Sequence, residues 1–151
     1  MEEVIDLRDH PVYMEQYIEQ RNRYSDLLLT RTVSREQTEK WLLEDGVVVR
    51  CLVDGGTLEG TVILYLDRGG EVAFFARQPG RGVGPRLLGI IEESGREKGL
   101  IRVWAWVLCV NERARRVFQK CGYSEIGVTE RVHVGMIYKG FFMTKPVGQV
   151  D

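Results

Sequence analysis

The chain has 151 residues, 44% of them hydrophobic and 28% charged, with a formal net charge of −1. That length carries one good core, so a single domain over residues 1–151 is expected, and the near-zero charge argues against nucleic acid or an anionic membrane as the main partner. No stretch approaches the ~18 apolar residues of a membrane span, and Met1-Glu2-Glu3-Val4 lacks the pattern of a secretory leader, so a cytoplasmic location is expected.

Residues 4–8 read as a short strand, and residues 11–21 as a helix with Tyr13, Met14 and Tyr17 at helical spacing. Ser34 followed by Gln37 has the form of a capping box opening a second helix, with Trp41, Leu42 and Leu43 on its buried side. Three strands then run in series over residues 47–53, 58–66 and 71–76, separated by Asp54-Gly55-Gly56 and Asp67-Arg68-Gly69-Gly70. This is the pattern of an antiparallel meander. A helix over residues 83–98 presents Leu87, Leu88, Ile90, Ile91 and Ser94 on one face and ends at Gly99. A strand over 101–107, a helix over 111–120 with Ala114, Val117 and Phe118 inward, and a hairpin of 123–131 with 136–145 complete a mixed α/β chain. Cys51, Cys109 and Cys121 are odd in number and widely spaced, which suits reduced, packed thiols rather than a disulfide framework or a zinc ribbon. Trp104 and Trp106 alternate on one strand face, as core or interface packing does.

The segment Gln78-Pro79-Gly80-Arg81-Gly82-Val83-Gly84-Pro85-Arg86 joins a strand to a helix. Its glycines let backbone N–H groups approach an anion, and the helix beginning near Gly82 or Val83 aims unpaired amides and a positive dipole end at it. Arg77, Arg81 and Arg86 stand near enough in sequence to assist. The spacing excludes two phosphate motifs: no G-x-G-x-x-G is completed, and no G-x-x-x-x-G-K-[ST] occurs.

Three segments together resemble the GNAT family of acetyl-CoA-dependent N-acetyltransferases. Residues 79–84 are similar to its acyl-CoA loop R/Q-x-x-G-x-G/A, with Gly82 and Gly84 in the small-residue positions and Pro79 where Arg or Gln is usual; Gln78 is a shifted replacement. The run from Asn111 to Tyr123 is similar to N-x-x-A-x-x-x-Y-x-x-x-G-F/Y. Gly127-Val128-Thr129-Glu130-Arg131, with Gly135, Tyr138 and Met143, resembles the tail of the branch acetylating amino sugars, polyamines and ribosomal protein N-termini, although Lys139 holds a place where that branch often has Asp.

The resemblance implies a twisted, mostly antiparallel sheet of six to seven strands, splayed near its middle and flanked by about four helices. It implies acetyl-CoA as co-substrate, no metal, and direct attack of an amine on the thioester. Phe75, Ala76 and Arg77 would supply backbone donors, with Gln78, Gly80, Arg81, Gly82, Val83, Gly84, Asn111, Arg113 and Phe118 around the cofactor. Arg115 and Arg116 are further candidates for its 3′-phosphate. Glu71 is the first candidate base, against the plainer reading of an exposed strand-end carboxylate, and His133 is the runner-up. Phe118 stands where many relatives place a proton-donating Tyr, leaving water, Tyr123, Tyr138 or a cysteine for that task. The expected acceptor is a small primary amine such as an amino sugar, bordered by Arg21, Arg23, Tyr24, Glu130 and His133. A protein N-terminus, or a non-catalytic acyl-CoA sensor, is the alternative. A homodimer through a terminal strand carrying Phe141 and Phe142 is a further expectation.

Overall fold

A computed structural model describes residues 1–148; the last three residues of the span expected for the domain lie outside the described residues. Its strands are β1 (Glu2–Asp6), β2 (Val47–Asp54), β3 (Thr57–Tyr65), β4 (Glu71–Ala76), β5 (Arg102–Leu108), β6 (Ser124–His133) and β7 (Met136–Pro146). They form one sheet in the order β1-β2-β3-β4-β5-β7-β6, antiparallel except where β4 meets β5. The helices are α1 (Met14–Arg23), α2 (Ser25–Leu28), α3 (Arg35–Leu42), α4 (Val83–Glu97) and α5 (Glu112–Lys120).

Among the described residues five α-helices stand where about four helices were expected, the addition being the four-residue α2, too short for its periodicity to register. The capping box of α3 forms as predicted: the Ser34 hydroxyl accepts from the Gln37 N–H, and the Gln37 carboxamide accepts from the Ser34 N–H at 2.9 Å. Leu43 is an exception to the buried face assigned to that helix. It follows the last helical residue and is 77% exposed, while Leu42 and Thr38 turn inward.

Strand alternation divides the core between the two sheet faces. Val47, Val49, Cys51 and Val53 of β2 join Ile63 and Phe75 against α1 and α3, where Met14, Tyr17 and Leu42 are buried. On the other face Val62, Leu64 and Val72 meet Leu87, Leu88 and Ile91 of α4 and Phe118 of α5. Phe74 and Phe75 therefore point to opposite faces of β4 and serve different cores. The expected terminal pairing strand is displaced: β7, with Phe141 and Phe142, lies between β5 and β6, and the outer edge belongs to β6.

Cys51 has a thiol pushed up to about 12 by burial, and burial also raises Tyr17, Tyr65 and Tyr123. In the unfolded chain these groups release protons near 9 to 10, so above that range the unfolded state binds fewer protons than the folded state. The stability Cys51 confers is complete below about pH 9 and is lost as pH rises through 12, and that of the tyrosines declines above their unfolded value near 10, by up to about 1.4 kcal/mol per unit and group. Thermal unfolding at fixed ionic strength should show Tm declining from about pH 9 upward; a flat Tm to pH 11 would contradict this burial-linked titration.

Candidate active site

β4 and β5 touch at a single register pair, Glu71 with Trp104, beside the bond from the Trp104 N–H to the Gly70 carbonyl at 3.1 Å. Beyond it the strands part, while β4 stays paired with β3 along its whole length. The Arg77 N–H donates to the Glu59 carbonyl at 2.9 Å, so by antiparallel alternation the Phe75 N–H also faces β3. The amides of Phe74 and Ala76 face the gap. Of the amides expected as donors, those of Phe75 and Arg77 thus face β3, and that of Ala76 faces the gap beside that of Phe74.

The gap opens into a groove of about 730 Å³. One wall is the glycine loop, with Gln78, Gly80 and Gly82, leading into Val83 and Gly84 of α4. Gly82 has φ +73°, a left-handed conformation that L residues adopt with strain, and no side chain caps the helix it begins. The amides of Gly82, Val83 and Gly84 are thus left for an anion, while Pro85 has none to offer. A Cβ on Gly84 would lie 3.1 Å from both the Phe74 ring and Val117, so glycine lets α4 approach β4 and α5 closely there.

The opposite wall is α5. Asn111 caps it, its side-chain oxygen accepting from the Ala114 N–H at 3.3 Å, which leaves its amide N–H groups for a ligand. Arg113, Arg116 and Lys120 line the same wall, and Arg113 makes no ion pair among the described residues. Other arginines are placed differently. Arg77 forks onto Glu59 at 3.1 to 3.3 Å, Arg86 pairs with Glu2 of β1, Arg115 pairs with Glu125, and Arg81 lies outside the groove lining. The cations in the groove lining thus all come from α5, Arg116 being paired with Glu112 at 3.5 Å, and none is a sequence neighbour of the loop.

A smaller chamber of about 190 Å³ adjoins the groove, the two sharing Leu27, Leu28, Phe74, Phe75, Asn111 and Ala114. Leu27 and Leu28 come from α2, so the element that the sequence did not disclose builds the junction. Tyr24 stands at the groove, its hydroxyl donating to the Ala76 carbonyl at 2.8 Å. Phe118 forms part of the chamber wall, edge-on to Phe74 with ring centres 5.3 Å apart. Tyr123, one of the substitutes weighed for the missing hydroxyl, is bonded to buried Glu92 at 3.2 Å, inside the core.

Glu71 lies in the chamber wall with its side chain 7% exposed, so the reading as an exposed strand-end carboxylate does not hold. Its two oxygens accept from Arg68 at 3.2 Å and from Arg131 at 2.7 Å. Arg131 reaches it from β6, 60 residues away, with its guanidinium 4.7 Å from the Trp106 ring centre. Trp104 and Trp106 are only half-buried, their indole N–H groups bonded to the Arg68 carbonyl and the Thr129 hydroxyl. His133 ends β6 opposite Met136 and lines neither cavity.

A sheet opened between two parallel strands, with a glycine-loop helix N-terminus on one side of the opening, defines an acyltransferase-like α/β class. The acetyltransferase (GNAT) family model matches residues 10–123, and the chain belongs to that family. No curated protein sequence matches it. Solved structures share the fold at low identity. A ribosomal-protein-alanine N-acetyltransferase from Brucella melitensis is 18% identical with a TM-score of 0.81, covering 97% of this chain and 99% of its own. A Salmonella typhimurium protein solved with its cofactor acetyl-CoA is 15% identical, TM-score 0.80, over 97% and 94%. Spermidine N-acetyltransferase from Vibrio cholerae, in complex with CoA and spermine, is 15% identical, TM-score 0.79, over 96% and 95%.

Proposed function

We propose that this acetyltransferase moves the acetyl group of acetyl-CoA to a primary amine of a small molecule by direct attack in a ternary complex. The observation that carries this reading is the adjacency of groove and chamber at the β4–β5 gap, where they share six lining residues, so that a thioester in one and an amine in the other would meet there. The pyrophosphate rests on the Gly82, Val83 and Gly84 amides, and Arg113, Arg116 and Lys120 meet the outer phosphate. Asn111 holds the pantetheine arm, and the Phe74 and Ala76 amides face the thioester oxygen as negative charge develops there.

The amine nitrogen forms a bond to the carbonyl carbon, the carbon–sulfur bond breaks, and one proton passes from nitrogen to the thiolate. A lysine-like amine must first lose a proton, at a cost of roughly 4 kcal/mol at neutral pH. Glu71 already accepts from two guanidiniums, so it acts here as their counterion and positioner, and water takes the amine's proton. Phe118 cannot protonate the thiolate, whose affinity for a proton, if like that of Cys near 8.5, lets water complete the step.

Calorimetric titration with acetyl-CoA and with CoA, followed by thiol release against an amine panel, tests the proposal. Binding with amine-dependent release is expected; binding without release from any amine would favour the sensor reading, and no binding would refute both. The double variant Arg113→Glu with Arg116→Glu should weaken CoA roughly ten- to hundredfold at low salt, with less effect at high salt. Unchanged affinity at low salt would remove α5 from the phosphate site.

A further inference from the structure

We infer that the acceptor is a compact amine that also carries an anionic group, a carboxylate or a phosphoryl, received by Arg21, Arg68 and Arg131. This rests on the acetyl-transfer reading above and narrows its acceptor. Three guanidiniums line the 190 Å³ chamber, and Glu71 is the one acid among its lining residues. Two positive charges are left uncompensated on a wall where an ammonium-bearing substrate must dock. A polycationic amine would meet net repulsion there, whereas an oxyanion on the acceptor supplies the missing charge.

The guanidiniums are also held in place before any ligand arrives. Arg21 lies 5.0 Å from the Trp41 ring centre and donates to the Tyr17 hydroxyl at 2.6 Å. Arg68 lies 4.2 Å from the Tyr65 ring centre, and Arg131 lies 4.7 Å from that of Trp106. Rings behind the cations and Glu71 between two of them fix a planar fork, the donor geometry that suits carboxylate and phosphate oxygens.

The chamber has room for about six waters, the scale of an amino acid or a single sugar phosphate.

The test uses matched amines on the full chain, with and without saturating CoA: an amino acid against its primary amide, an amino sugar 6-phosphate against the free amino sugar, and spermidine. Calorimetry gives affinity and thiol release gives kcat/KM. In at least one series the anionic member should exceed its neutral partner by about ten- to hundredfold, and which series responds distinguishes carboxylate from phosphoryl. Arg21→Gln should reduce that ratio to a few-fold, and Arg21→Lys should restore part of it. Neutral amines or spermidine binding as tightly as the anionic members, or no anionic member binding at millimolar concentration, would overturn the inference. Because acetyl-CoA binding and turnover with any amine are read separately, that failure is distinct from failure of the acetyl-transfer reading.

Discussion

Gly82→Asp should abolish most acetyl-CoA affinity, about a hundredfold or more, while leaving Tm close to that of the parent chain. Asp is among the residues that tolerate the left-handed conformation found at this position, and space is open there, since nothing lies within 4 Å of a Cβ built on Gly82. The fold is therefore preserved. The new carboxylate sits at the start of α4, where it takes up the amides of the helix N-terminus and repels a pyrophosphate from the same place. Each charge-assisted hydrogen bond lost is worth roughly 1.5–3 kcal/mol, so losing one or two accounts for the predicted change. Calorimetry with acetyl-CoA, beside a thermal melt of the same sample, checks both halves. Affinity unchanged with Tm unchanged would move the phosphate site off this loop.

The second large effect is expected of Glu71→Gln. The carboxylate is buried and holds Arg68 and Arg131, which are themselves 56% and 35% exposed. Replacing it removes the charge between two guanidiniums, and the loss should be about 1–3 kcal/mol, less than for a wholly buried pair because both arginines keep contact with water. Tm should fall by several degrees. The pH dependence of kcat separates positioning from proton abstraction. If Glu71 positions the arginines, the ascending limb of the profile persists in the variant; if it removes the amine's proton, the limb disappears and kcat drops by 10²–10⁴.

Local chemistry was readable from the chain, and long-range pairing was not. The capping box of α3 and the glycine loop before α4 depend on residues a few positions apart, and each forms where its spacing required. Arg86 was read beside the loop, yet its partner is Glu2, 84 residues away at the far edge of the sheet. Glu71 stands out in the sequence as a candidate, but its environment depends on Arg131 arriving from β6, an association no short-range pattern encodes. Direction along a strand is a similar case. Arg77 lies next to the gap in sequence, and a single step of alternation turns its amide and side chain toward Glu59. The short α2 escaped because one turn of helix has no periodicity to detect, although Leu27 and Leu28 in it form the junction of the two cavities.

The lone Glu71–Trp104 contact has a mechanical meaning as well. Residues of β1 to β4 form one ribbon and those of β5 to β7 another, each fully laced within itself. Between them the lacing is one stitch, and α4 bridges the halves by packing across β2, β3, β4 and β5. A molecule lying along the open seam would add contacts between two halves whose backbones pair at one register position, so occupancy of the site should stiffen the sheet across that seam.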